Sequence, residues 1–151
     1  MIELNCSYEE SKKILELGYD FSKICTKFEL HQDKEIKVCY GEKVSRETIR
    51  NQYTLIDDNP WFQGKAWVQG FIPIIPKAAL EACLPDINPS NDERLPDLDT
   101  SRLRVSKYHT DMCDREHEEI IREFSSVFEA FIWCHNNYPE ELKRKFKEVM
   151  E

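Results

Sequence analysis

Two stretches in the first third of the chain alternate polar and apolar residues, as strands with one buried face do. They are Thr26–Leu30 and Glu35–Tyr40, and the intervening Gln32-Asp33-Lys34 predicts the turn of a β-hairpin. Leu103–Tyr108 alternates in the same way. The pattern therefore predicts a hairpin and one further strand.

Helices are indicated by capping residues that precede apolar residues at helical spacing. Ser7 and Glu10 form an S-x-x-E box, and Gly18 can end the helix that follows. Ser126 opens another helix in the same way, and Pro139 suits the start of the last one. We therefore expect the C-terminal part to be helical.

Three further segments lie between the hairpin and the C-terminal helices. Pro76 suits the first position of a short helix that continues to Cys83. Asp86–Ser101 is acidic, contains prolines and asparagines, and predicts an exposed loop. Asp111–Phe124 is predicted to form an acidic helix.

Together these elements predict a single α+β domain over residues 1–151. We expect a small antiparallel sheet with helices packed on one face. A chain of ~150 residues fits one domain and buries enough apolar surface to fold without a disulfide or a metal.

Composition narrows the class of function. The chain has 21 Lys and Arg against 29 Asp and Glu, a formal net charge of −8. This charge disfavours direct nucleic-acid binding, because affinity for phosphate comes from clustered cations. The sequence lacks both the glycine-rich phosphate-binding motifs and a Cys-x-x-Cys pair. It has no apolar run long enough to span a membrane and no signal-peptide pattern, so we expect a cytoplasmic protein with free thiols.

The negative charge is concentrated in two segments. Residues 81–101 carry six acids and one arginine, and residues 111–123 carry six acids and two arginines. Because an acidic surface attracts basic partners, the leading hypothesis is a non-enzymatic accessory protein, without a cofactor, that binds another protein with a basic surface. A homo-oligomer is also compatible with the sequence. The candidate partner-binding acids are Asp86, Asp92, Glu93, Asp97, Asp99, Glu116 and Glu119.

An alternative hypothesis is a zinc site, either in a metal-binding protein or in a metal-dependent hydrolase. His109, Cys113 and His117 are spaced i, i+4 and i+8, so a continuous helix would place them on one stripe. Imidazole and thiolate are good zinc ligands, but a step of eight residues spans about 12 Å on a helix, too far for one ion unless the helix breaks. Cys113 and His117 with Cys134 or His135 form the other possible ligand set.

A second alternative is a protein that sequesters a small ligand such as a nucleotide. Trp61, Trp67 and Phe71 lie in an aromatic middle segment and could stack on a base. Lys65 is the only basic residue between Trp61 and Phe71, so this segment lacks the several basic residues that usually accompany such stacking surfaces. A hydrophobic core is the other interpretation of this segment.

Three segments resemble the small uncharacterised proteins of bacterial phages and integrated mobile elements. Ser7–Asp20 is similar to their first helix and turn, Ile75–Cys83 to their short middle helix, and Ser126–Trp133 to their final helix. The resemblance implies that the protein acts on the machinery of a bacterial host. It does not imply any catalytic residues in this chain.

Overall fold

The computed structural model describes residues 4–32, 34–40 and 71–151. Within these residues the chain forms helices and antiparallel strands, which confirms the predicted α+β class. The chain divides into two compact units, Met1–Pro76 and Lys77–Glu151. The described elements are α1 (Tyr8–Glu16), β1 (Lys27–Gln32), β2 (Glu35–Tyr40), β3 (Ile72–Pro73), α2 (Lys77–Cys83), β4 (Asp97–Asp99), β5 (Arg104–Thr110), β6 (Glu116–Glu123), α3 (Val127–Asn137) and α4 (Pro139–Met150).

The first unit begins with a capped helix, as predicted. The Ser7 hydroxyl accepts the backbone N–H of Glu10 at 3.1 Å, and the Glu10 carboxylate accepts the backbone N–H of Ser7 at 2.9 Å. These bonds satisfy two of the donors that a helix leaves unpaired at its start. After the helix, Gly18 has a φ of 102°, a conformation that residues with a Cβ rarely adopt.

The sheet of the first unit contains the predicted hairpin. Its strand order is β2-β1-β3, and β1 pairs with β2 from Lys27↔Tyr40 to Gln32↔Glu35. Helix α1 contacts β3, and the buried Ser11 hydroxyl accepts the N–H of Ile75 at 3.2 Å. Fully buried side chains fix this arrangement, among them Ile14, Phe21, Phe71 and Ile75.

The second unit contains a sheet that the sequence predicted only in part. Its order is β4-β5-β6, and the predicted strand around residues 103–108 is confirmed as β5. The predicted helix over Asp111–Phe124 is wrong, because this segment folds back as a turn followed by β6. Two β-branched residues in succession, Ile120 and Ile121, favour a strand over a helix.

Both the backbone and the side chain of Asp111 form hydrogen bonds within the turn between β5 and β6. Asp111 Oδ1 accepts the backbone N–H groups of Cys113 and Arg115, at 2.8 and 3.0 Å. Asp114 takes a left-handed conformation, with a φ of 57°. An aspartate side chain that accepts backbone N–H groups two to four residues later in the sequence can stabilise a turn in place of a helix. This local competition is the physical reason that the helix prediction fails.

The C-terminal helices follow the sequence signals. The Ser126 hydroxyl accepts the N–H of Glu129 at 3.2 Å at the start of α3, and Pro139 is the first residue of α4. Helix α2 contacts both α3 and α4, which also contact each other. Leu80, Phe131 and Leu142 are fully buried. None of the helices in the described ranges is long and apolar enough to cross a membrane.

Candidate functional site

The acidic stretch after α2 is organised around a buried asparagine. Asn88 is 4% exposed, and its Nδ2 donates to the carbonyls of Asp92 and Leu95 at 2.9 and 3.3 Å. Its Oδ1 accepts the N–H of Asp92 at 3.1 Å. Residues 89–95 of the predicted loop are largely exposed, but Ile87 and Asn88 are buried within it and Asp97–Asp99 forms strand β4. We call residues 86–95 the Asn88 loop.

A polar cleft of about 230 Å³ lies between the Asn88 loop and the end of β5. Four of the predicted partner-binding acids line it: Asp92, Glu93, Asp97 and Glu116. The cleft is also lined by His109, which was predicted as a zinc ligand, and by residues that were not predicted as site residues: Asn88, Asn91, Leu95, Tyr108 and Thr110. We call this feature the acidic cleft.

Three carboxylates of the acidic cleft have no countercharge among the residues that the structure describes. Asp92 is paired with Arg94, whose guanidinium donates to both carboxylate oxygens and lowers the pKa of Asp92. No described residue forms an ion pair or a side-chain hydrogen bond with Glu93, Asp97 or Glu116. The cleft therefore presents concentrated negative charge to whatever enters it.

The cleft also exposes one edge of strand β5. Strand β4 pairs only with Arg104–Ser106, whereas β6 pairs with β5 as far as Thr110. In the described part of the chain, no strand covers the β4 side of residues 107–110. Pro96 precedes β4 and has no N–H with which to extend the ladder. The backbone groups of this edge are thus available to an extended chain.

The remaining predicted acids lie elsewhere. Asp86 accepts the N–H of Asn88 at 2.9 Å and begins the Asn88 loop. Glu119 is exposed on β6 opposite Lys107. Asp99 belongs to a polar network that connects β4, β5 and β6, so its carboxylate is already occupied.

This network has Glu118 at its centre. The Glu118 carboxylate accepts from Arg104 at 2.6 Å, from Arg102 at 3.1 Å and from the Tyr108 hydroxyl at 2.7 Å. The bond from Tyr108 lowers the pKa of Glu118, and the guanidinium of Arg102 lowers the pKa of Asp99. These bonds connect the three strands, which is a structural role.

The structure brings two of the three predicted zinc ligands together, but not on a helix. His109 and His117 face each other across β5 and β6, and their rings stack with centroids 5.4 Å apart. Cys113 is exposed in the turn and donates its backbone N–H to Asp111. The prediction that His109, Cys113 and His117 lie on one stripe of a helix is therefore wrong. Among the described residues no three His, Cys, Asp or Glu side chains are placed to hold one ion together.

The aromatic segment is described only at its end. Phe71 is 1% exposed and belongs to the core of the first unit, whereas Trp61 and Trp67 lie outside the described residues. The small-ligand hypothesis for this segment stays a prediction.

A second cleft, of about 510 Å³, lies in the first unit and was not predicted. The rings of Tyr8 and His31 stack with centroids 3.6 Å apart, and His31 Nε2 lies 2.8 Å from Glu29 Oε1. Lys27 pairs with Glu29 at 3.2 Å. Burial by itself would raise the pKa of Glu29. The hydrogen bonds with His31 and Lys27 lower this pKa by more than burial raises it, so the net change is downward. Polar residues at alternate positions of β1 were the signal for this cluster. Lys27 and His31 both contact the Glu29 carboxylate, which distinguishes this cluster from the acids of the acidic cleft.

Comparison with known proteins adds no relative: no family model, no curated protein and no solved structure matches this chain.

Proposed function

We propose that this chain is a non-enzymatic accessory protein whose acidic cleft binds a basic segment of another protein. The observation that carries the proposal is the convergence of Glu93, Asp97 and Glu116 on one cleft without a countercharge from any described residue. Like charges held close together repel, and a cation between them removes that repulsion. Lysine or arginine side chains of a partner would supply it.

The open edge of β5 indicates the form of the bound segment. An extended chain that pairs with residues 107–110 would add a strand to the β4-β5-β6 sheet. Alternate side chains of an extended segment share one face, so basic residues at every second position would point at the cleft together. Backbone hydrogen bonds would supply affinity and the acids would supply selectivity for basic sequences.

The setting implied by the phage-like segments supports a host protein as the partner. Electrostatic attraction accelerates encounter with a basic surface and weakens as salt rises, because the Debye length shrinks to about 3 Å at 1 M salt. The proposed interaction is therefore salt-sensitive.

The test is fluorescence anisotropy with a labelled peptide of about eight residues in which lysine and threonine alternate. The variant Glu93→Gln/Asp97→Asn/Glu116→Gln neutralises the three cleft carboxylates that form no ion pair with a described residue. If each exposed ion pair contributes about 0.5 kcal/mol, the loss of three weakens binding about tenfold. A peptide with glutamate in place of lysine should not bind.

The matched control is Glu9→Gln/Glu119→Gln/Glu123→Gln, which changes the net charge equally with exposed acids outside the cleft. It should retain nearly full affinity. Equal weakening by both triple variants would show that only net charge matters, and the proposal would then be wrong. A lysate pull-down with the wild type and the two variants then extends the same comparison to natural partners.

A further inference from the structure

His109 and His117 are held as a pair by the backbone. They occupy directly opposed positions of β5 and β6, and their rings lie 5.4 Å apart at an interplanar angle of 23°. Side chains at opposed positions of an antiparallel pair have Cβ atoms about 4.5–5.5 Å apart. This spacing lets ring nitrogens approach the separation of about 3.3 Å that two ligands of a tetrahedral zinc ion require.

Asp111 fixes the orientation of one of these rings. Its Oδ2 lies 2.7 Å from His117 Nε2, and its Oδ1 is fixed by the N–H groups of Cys113 and Arg115. Turning the carboxylate away from His117 would break both of these hydrogen bonds. An Nε2–H that donates to Asp111 leaves Nδ1 of neutral His117 with a free lone pair. A carboxylate behind a histidine is the usual support of a histidine that binds a metal.

We propose that His109 and His117 form a two-histidine site for a borderline divalent cation such as Zn²⁺, in which His117 binds through Nδ1 and Asp111 is a positioning residue. Imidazole selects zinc, copper and nickel over magnesium and calcium. The His117 side chain is 47% exposed, so an ion reaches it from solvent, and water completes the coordination. This site differs from the helical stripe because Cys113 is not a ligand. It does not depend on the proposed peptide binding.

The test is calorimetric titration of Zn²⁺ into the full chain without an affinity tag. The wild type should bind one ion, and His109→Gln and His117→Gln should each abolish measurable binding or weaken it about tenfold or more. His31→Gln is the matched control, because it removes a histidine of the first unit that also contacts a carboxylate. It should leave the affinity unchanged.

Two more variants separate the roles of the neighbouring groups. Asp111→Asn keeps an acceptor for the turn but removes the carboxylate, and should weaken zinc binding about 10–100-fold. Cys113→Ser should have no effect, and a loss of binding in this variant would overturn the two-histidine ligand set. Wild-type affinity in His109→Gln or His117→Gln would overturn the site altogether.

A spectroscopic readout keeps the proposal testable if a variant is unstable. Long-range ¹H–¹⁵N NMR spectra of wild-type protein resolve the two nitrogens of each imidazole. Zinc should shift Nδ1 of His117 and leave Nε2 protonated. A metal shift at Nε2, or shifts confined to His31 and His135, would contradict the proposal.

Discussion

The side chain of Asn88 binds the backbone of Asp92 in both directions, donating to its carbonyl at 2.9 Å and accepting from its N–H at 3.1 Å. This pairing resembles that of two opposed residues in an antiparallel ladder, with an amide side chain in place of one backbone. The same amide also reaches the carbonyl of Leu95 at 3.3 Å. One buried residue thus positions the part of the acidic cleft that carries Asp92 and Glu93.

We expect Asn88→Ala to destabilise the protein by about 1–3 kcal/mol, because it removes the three hydrogen bonds that this buried side chain forms with the backbone of Asp92 and Leu95. Urea unfolding followed by circular dichroism measures the change. Ser90→Ala is the control, since Ser90 is exposed and its bond to Asn88 is long, at 3.4 Å. Hydrogen exchange at the Asp92 amide should rise in Asn88→Ala only. Unchanged protection of that amide would show that the loop does not depend on Asn88.

Glu118 predicts how stability changes in acid. Hydrogen bonding from Tyr108 lowers its pKa below the ordinary 4.5, so the folded state binds this proton less readily than the unfolded state. The stabilisation is therefore present above pH 4.5 and is lost as the pH falls through the lowered pKa. Glu118→Gln should be less stable than wild type at pH 7, and the difference should shrink below pH 4.5.

Glu119→Gln is the control for this pH series, because Glu119 adjoins Glu118 and forms no ion pair with any described residue. Its stability should follow the wild-type pH curve. A constant difference between Glu118→Gln and wild type from pH 7 to pH 3 would contradict the linkage.

Local signals in the sequence predicted the caps and turns, but not the β5–β6 pairing. The Ser7–Glu10 box and Pro139 act on their own neighbours, so the sequence alone is sufficient for them. Strand β6 does not alternate, because nearly all of it is exposed and it carries a β-bulge. Val105 pairs with Arg122 and Ser106 with Ile120, which leaves Ile121 as the extra residue. A strand without a buried face shows no period of two, and its acids favoured a helix prediction.

The sequence was sufficient to predict which types of residue form the candidate site. It was not sufficient to predict how these residues are arranged in space. Acids between residues 86 and 116 were singled out, yet their convergence depends on burial of Asn88, a polar residue in an acidic segment. His109 and His117 were grouped for the wrong reason. A spacing of eight residues separates them along a helix, but the turn at Asp111 brings the same two residues face to face.

The cysteines should differ sharply in reactivity. Burial raises the pKa of Cys134 to about 12 from the ordinary 9.0, which lowers its thiolate fraction near neutral pH about a thousandfold. Burial likewise raises the pKa of Cys25 to about 12. Cys113 is exposed in the β5–β6 turn. Because the thiolate is the nucleophile, iodoacetamide at pH 8 should label Cys113 well before Cys25 and Cys134.

Peptide mapping by mass spectrometry measures these labelling rates. In urea the three thiols should react at similar rates, which shows that the difference is due to folding. Labelling of Cys134 in the native protein at the rate of Cys113 would mean that α3 opens readily.

The second unit provides a test of the predicted single cooperative domain. Leu142 on α4 is fully buried, so Leu142→Ala should destabilise the protein by about 2–5 kcal/mol. Met112→Ala is the control, because Met112 is fully exposed and the change should remain within about 0.5 kcal/mol.

Native-state hydrogen exchange then reports each unit separately: the Cys6 N–H bonds to Ile75 in the first unit, and the Ala130 N–H bonds to Ser126 in the second. In a single cooperative domain, Leu142→Ala increases exchange at both amides by the same factor. Exchange that rises at Ala130 while Cys6 keeps its wild-type rate would mean that the two units unfold as independent domains.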